Sequence, residues 1–127
     1  LGIDASFYWI SSLAVTSNKQ VYIETDHSLS SCYGCFEDEI LLFNLGNWEK
    51  IETNFNFYNQ IFIDKRDFIW TMGEVDRDHY SLFVFDGDEW QRSAKGQIPE
   101  IYIKSVKVDN QNNIWFCTEE GIFILNQ

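Results

Sequence analysis

The chain repeats itself, and that self-similarity limits its folds more than any other feature. Residues 106–115 lie over 61–70 with matching apolar positions, an acidic residue in common (Asp109 and Asp64) and a shared tryptophan (Trp115 and Trp70). A weaker third copy covers 13–22, so the closing aromatic recurs at Tyr22, Trp70 and Trp115, in steps of 48 and 45 residues. A second anchor runs alongside. The pattern from Ile40 through Phe43 to Trp48 returns from Leu82 through Phe85 to Trp90 at a step of 42, and starts again at Ile122.

Each unit reads as short strands, because runs of β-branched and aromatic residues alternate with clusters of Asp, Asn, Gly and Ser that make turns. Runs such as 68–72 and 122–125 are apolar on both faces, which suits strands sandwiched between neighbouring sheets. The middle unit predicts strands at 60–64, 68–72, 81–86 and 90–93. A four-stranded unit with a period in the forties is the pattern of a β-propeller blade. The expectation is an all-β, propeller-like segment spanning 1–127, with about three four-stranded antiparallel blades in approximate repeats 13–53, 60–94 and 106–127. Rings need about four to eight blades. Further blades are therefore expected, from a longer chain or from a second copy; residues 1–12 could end a preceding blade or close a partner's last one.

Asp109, Asn112, Asn113, Ile114, Trp115, Phe116, Cys117, Thr118, Gly121 and Ile122 resemble the two-component-regulator propeller repeat, Asp-x-x-Gly-Asn-Ile-Trp-Ile-Gly-Thr-x-x-Gly-Leu. Asn112 replaces the first glycine, and asparagine tolerates the left-handed backbone such a turn wants. Cys117 replaces the second. The middle unit keeps Asp64, Ile69 and Trp70; the first has Thr16 for the aspartate and Tyr22 for the tryptophan, with Thr25 where Thr118 stands. The resemblance implies a sensing module of a bacterial signalling protein, periplasmic or extracellular, that recognises a glycan or other ligand or a protein partner. Tryptophan–aspartate and kelch repeats match less well, since Gly-His, Trp-Asp and double-glycine pairs are missing.

Twenty acidic against nine basic residues give a net charge of -11, with no basic cluster beyond Lys65 and Arg66. Such a surface repels phosphate backbones, so nucleic acid is not an expected partner. No run reaches the ~18 apolar residues of a membrane helix, and no membrane insertion is expected.

Binding residues are expected in the hairpins between the second and third strands of each unit, where extended loops on a rigid scaffold usually bind. The first loop is read as 24–39, with Asp26, Glu37 and Asp38; the second as 73–80, with Glu74, Asp76 and Asp78; the third holds Glu119 and Glu120. The same carboxylates could simply keep an aromatic-rich chain soluble. His27, Cys32 and Cys35, joined by His79 from the next hairpin, could form a tetrahedral zinc site, although no cofactor is required by the fold. A local disulfide and two reduced structural thiols are the competing readings of that Cys-x-x-Cys. Residues 86–89 read as a turn before Trp90 rather than a calcium loop. Tyr22, Trp70 and Trp115 are expected in the core between blades, and Asp64 and Asp109 in tight turns where they bond their own backbone.

No nucleophile elbow, phosphate loop or zinc-protease motif is present, so no catalytic residue is assigned. The leading expectation is a non-enzymatic recognition module. Two alternatives stand beside it: a calcium- or magnesium-dependent lactonase or lyase using Asp26, Glu74 or Glu119, and an assembly module joined through open blade edges.

Overall fold

The computed structural model describes residues 8–28, 36–76, 79–93 and 103–126. These form eleven strands and, among the described residues, no helix. Three antiparallel sheets follow one another along the chain. The first contains β1 (Tyr8–Val15), β2 (Val21–Ser28), β3 (Phe36–Asn44) and β4 (Asn47–Ile51) in sequence order. The second repeats this arrangement with β5 (Phe57–Ile63), β6 (Ile69–Asp76), β7 (His79–Phe85) and β8 (Trp90–Arg92). The third has β9 (Ile103–Val108), β10 (Ile114–Thr118) and β11 (Gly121–Leu125). The stretch 8–12, uncertain on sequence grounds, belongs to β1 and pairs with β2.

The turns that join the first two strands of each sheet repeat almost atom for atom. Thr16 N donates to Gln20 O at 3.0 Å, Asp64 N to Phe68 O at 3.1 Å and Asp109 N to Asn113 O at 2.9 Å. One position in each turn has a left-handed backbone: Lys19 (φ 67), Asp67 (φ 64) and Asn112 (φ 65). The sequence places Asn112 at that position for the reason observed.

Asp64 and Asp109 hold these turns as expected, and each also accepts a hydrogen bond from an indole. The Asp64 carboxylate takes the amides of Arg66 and Phe68 on Oδ1, and Trp70 Nε1 on Oδ2 at 3.1 Å. Asp109 takes the amides of Gln111 and Asn113 on Oδ1, and Trp115 Nε1 on Oδ2 at 3.0 Å. In the first sheet both partners change together: Thr16 Oγ1 accepts from the Gln20 amide at 2.9 Å, and Tyr22 offers no indole.

The sheets stack face on face through two apolar layers. Ala14, Tyr22, Ile40 and Leu42 of the first sheet meet Phe57, Ile61, Ile69 and Phe85 of the second. On the other side of the second sheet, Trp70, Met72 and Leu82 meet Ile103, Ile114, Phe116 and Leu125 of the third. Alternation along β6 makes this possible, with Ile69 pointing to one neighbour and Trp70 to the other. Polar links reinforce both layers. Ser12 Oγ both accepts from Ile61 N and donates to Ile61 O, at 3.1 Å in each case, while Gln60 Nε2 donates to Lys104 O at 3.2 Å.

Two expectations need correction. The long second-to-third-strand loops are mostly strand: β2 and β3 pair from Val21 with Phe43 out to Ser28 with Phe36, and β6 and β7 pair out to Asp76 with His79. Clustered acidic residues such as Asp26, Glu37, Asp38, Glu74 and Asp76 suggest loop, whereas backbone pairing carries the strands through them. Trp115 is the second correction. Tyr22 and Trp70 are each 4% exposed, but Trp115 is 40% exposed because no sheet covers its face among the described residues.

Candidate functional site

Each sheet has two ends. The tight turns lie at one end, and at the other lie the second-to-third-strand hairpins together with the connection 52–56 between the first two sheets. A groove of about 770 Å³ opens at this second end, between the first and second sheets.

Its walls come from the start of β3 (Asp38, Glu39, Ile40), the end of β4 (Lys50, Ile51), the connection (Glu52, Thr53, Asn54, Phe55, Asn56) and the end of β6 (Glu74, Val75, Asp76). The connection is tied down where it enters β5, since Glu74 N donates to Asn56 O at 2.7 Å. Thr53 Oγ1 donates to Phe55 O at 3.1 Å and shapes the bend. Phe55 then lies against Phe83 with ring centroids 3.8 Å apart and planes 12° from parallel, and makes a T-shaped contact with Trp90, centroids 5.4 Å apart.

Gly73 makes this packing possible. A Cβ there would lie 2.5 Å from Phe55 Cδ2 and 2.7 Å from Phe83, closer than carbon atoms approach. By its distance from Trp70, Gly73 occupies the position held by Thr25 and Thr118 in the other sheets. The loss of threonine from the middle unit thus has a packing reason: the aromatic ring of the connection takes the space.

Charge in the groove is one-sided. Among the described residues, Asp38, Glu39, Glu52, Glu74 and Asp76 contribute carboxylates, against the one ammonium of Lys50, which pairs with Glu39 at 3.3 Å. Low-dielectric walls of Ile40, Ile51, Phe55 and Phe57 focus such a field and raise the local concentration of cations or cationic groups. Just behind the wall, Glu24 is 1% exposed and pairs across from Ile40, placing another carboxylate in the layer between the two sheets.

The structure thus brings together Asp38, Glu74 and Asp76 of the residues expected at the binding face. Glu119 and Glu120 form the turn between β10 and β11 and do not line the groove; Glu119 lies 3.9 Å from Lys104. Asp78, Cys32 and Cys35 lie outside the described residues, as do the side chains of Asp26, His27, Glu37 and His79. The zinc and disulfide expectations fall on these. Among the described residues, no group of three or more His, Cys, Asp or Glu is arranged to hold a metal ion. Asp86 accepts the amides of Asp88 and Glu89 at 2.9 and 3.0 Å, forming the turn read from the sequence. Glu52 and Phe55 were missed because they sit in the connection, outside the repeated pattern that directed attention to hairpins.

Comparison with known protein families, with curated proteins and with solved structures returned no match.

Proposed function

We propose that the three sheets are propeller blades and that the chain is a non-enzymatic recognition module whose ligand enters the groove between the first two. The observation that carries this reading is the convergence of five carboxylates from both sheets and their connection on one partly apolar groove. The groove is suited to a ligand with positive charge and an apolar body, such as a Lys- or Arg-containing peptide segment of a partner protein. Phe55, which lines the groove, is held in place by stacking on Phe83, so little ordering of this wall is needed on binding. The sequential order and uniform turns of the sheets support the propeller assignment, and the resemblance to the two-component-regulator repeat supports a sensing role in a bacterial signalling protein.

Calorimetric titration with short peptides of defined charge tests the proposal. A peptide combining lysines with an aromatic residue is expected to bind, and a glutamate-containing counterpart of the same length is not. Replacing Glu74→Gln and Asp76→Asn together should weaken binding roughly tenfold, the scale expected for two partly screened charges. Equal affinity in that variant, or no binding of any cationic peptide, would remove the groove as the recognition site.

A further inference from the structure

The layer between the first two sheets holds a polar pair where the layer between the second and third is apolar. Cross-strand register defines the position. Ser12 pairs with Glu24 and Glu24 with Ile40, while Ile61 pairs with Thr71 and Thr71 with Phe83. The hydrogen bonds of Ser12 Oγ with Ile61 N and O, both 3.1 Å, set these two rows against each other. Glu24 and Thr71 therefore occupy facing positions, and they are 1% and 0% exposed.

Glu24 stands two residues past Tyr22 as Met72 stands two past Trp70, and Thr71 one past Trp70 as Phe116 one past Trp115. Met72 and Phe116 are buried in the apolar layer between the second and third sheets. One plan of stacking is thus completed by methionine and phenylalanine in one layer, and by a carboxylate and a hydroxyl in the other. Packing does not explain the exchange. Burying a carboxylate is costly, and apolar replacements of buried ionic groups are often neutral or stabilising. Thr71 Oγ1, moreover, has no hydrogen-bond partner among the described residues, a cost that a phenylalanine there would not carry.

The groove supplies a reason. Ile40, beside Glu24, lines it, and so does Phe55, stacked on the Phe83 that pairs with Thr71. The polar pair lies directly behind this inner wall. Paired residues hold their Cβ atoms about 4.5–5.5 Å apart, so a cationic group resting on Ile40 comes within roughly 10 Å of the Glu24 carboxylate. Ile40 and Ile61 are buried on either side, and across such an apolar path charges act more strongly than they do through water.

We infer that Glu24 is the specificity-determining residue of the groove: acting through the wall, its carboxylate makes the site select a lysine-type ammonium over an uncharged side chain of the same length. Thr71 offers this carboxylate a hydroxyl in place of the phenylalanine ring that its counterpart carries. The inference rests on the groove as the recognition site and names what discriminates there.

Calorimetric titration tests it with a peptide combining lysines and an aromatic residue, compared with counterparts in which each lysine in turn is norleucine. The wild type should prefer lysine. Glu24→Gln, which keeps the shape and removes the charge, should cut that preference roughly fivefold, the scale of one charge at such a distance and an effective dielectric of about 20. Affinity for the norleucine counterpart should not change. Glu24→Met, the residue of the corresponding position, should match Glu24→Gln in binding and melt no lower than the wild type. An undiminished preference in Glu24→Gln, an equal loss for both peptides, or a Glu24→Met chain whose Tm falls below that of the wild type would each overturn the inference. A wild type that binds no lysine peptide removes the groove reading and this inference together. One that binds, weakens with Glu74→Gln and Asp76→Asn, and keeps its preference in Glu24→Gln removes this inference alone.

Discussion

At the scale of single residues, the aspartate–tryptophan pair gives the turns their strength. Asp109 carries four hydrogen bonds from Trp115, Asn113 and Gln111. The Trp115 indole, followed by the Asn113 side chain, lowers its carboxyl to about 2. An unfolded aspartate titrates near 3.9, so the folded form binds its proton less readily than the unfolded one. Its contribution to stability is therefore complete above about pH 5 and disappears as the pH falls toward the folded value near 2. The Trp115 Nε1–H resonance should titrate with a midpoint near that value, and Asp109→Asn should flatten the dependence of Tm on pH over the same range. A Trp115 resonance that moves only with global unfolding would mean that the indole bond does not report this carboxylate. The sequence revealed the aspartate as a turn residue but not its indole contact, because that bond spans six residues and depends on the strand that follows. The joint change to Thr16 and Tyr22 was the available signal.

At the scale of elements, the connection between the first two sheets fixes the groove, and Gly73 fixes the connection. Gly73→Ala forces its new methyl into Phe55 and Phe83, and overpacking of this kind costs about 1–3 kcal/mol. Urea denaturation should show that loss, accompanied by weaker binding of cationic peptides as Phe55 is displaced. Truncating the ring in the double variant Gly73→Ala, Phe55→Ala should make the two losses less than additive, because the methyl would no longer meet Phe55. Strictly additive losses would mean that the two residues do not compete for the same space. The sequence made the strands and tight turns legible, since Asp64, Asp109 and the apolar alternations are local signals. It misplaced the ends of β2, β3, β6 and β7, because Asp26, Asp38, Glu74 and Asp76 look like loop residues until pairing with the neighbouring strand is known. The groove itself was only half legible: the acidic hairpins were visible, while Glu52 and Phe55 join the site through tertiary packing alone.

For the whole molecule, net charge sets how the groove responds to salt. The chain carries -11, a field that adds to the attraction of the groove carboxylates for a cationic group. Binding of a cationic peptide should therefore weaken as sodium chloride rises from about 20 to 300 mM, where the Debye length falls below about 10 Å, because screening weakens attraction to Asp38, Glu39, Glu52, Glu74 and Asp76. Calorimetric titration in one salt series checks this without any substitution. A dissociation constant indifferent to salt would mean that the apolar walls of Ile40, Ile51, Phe55 and Phe57 hold the peptide and that the convergence of carboxylates does not select it.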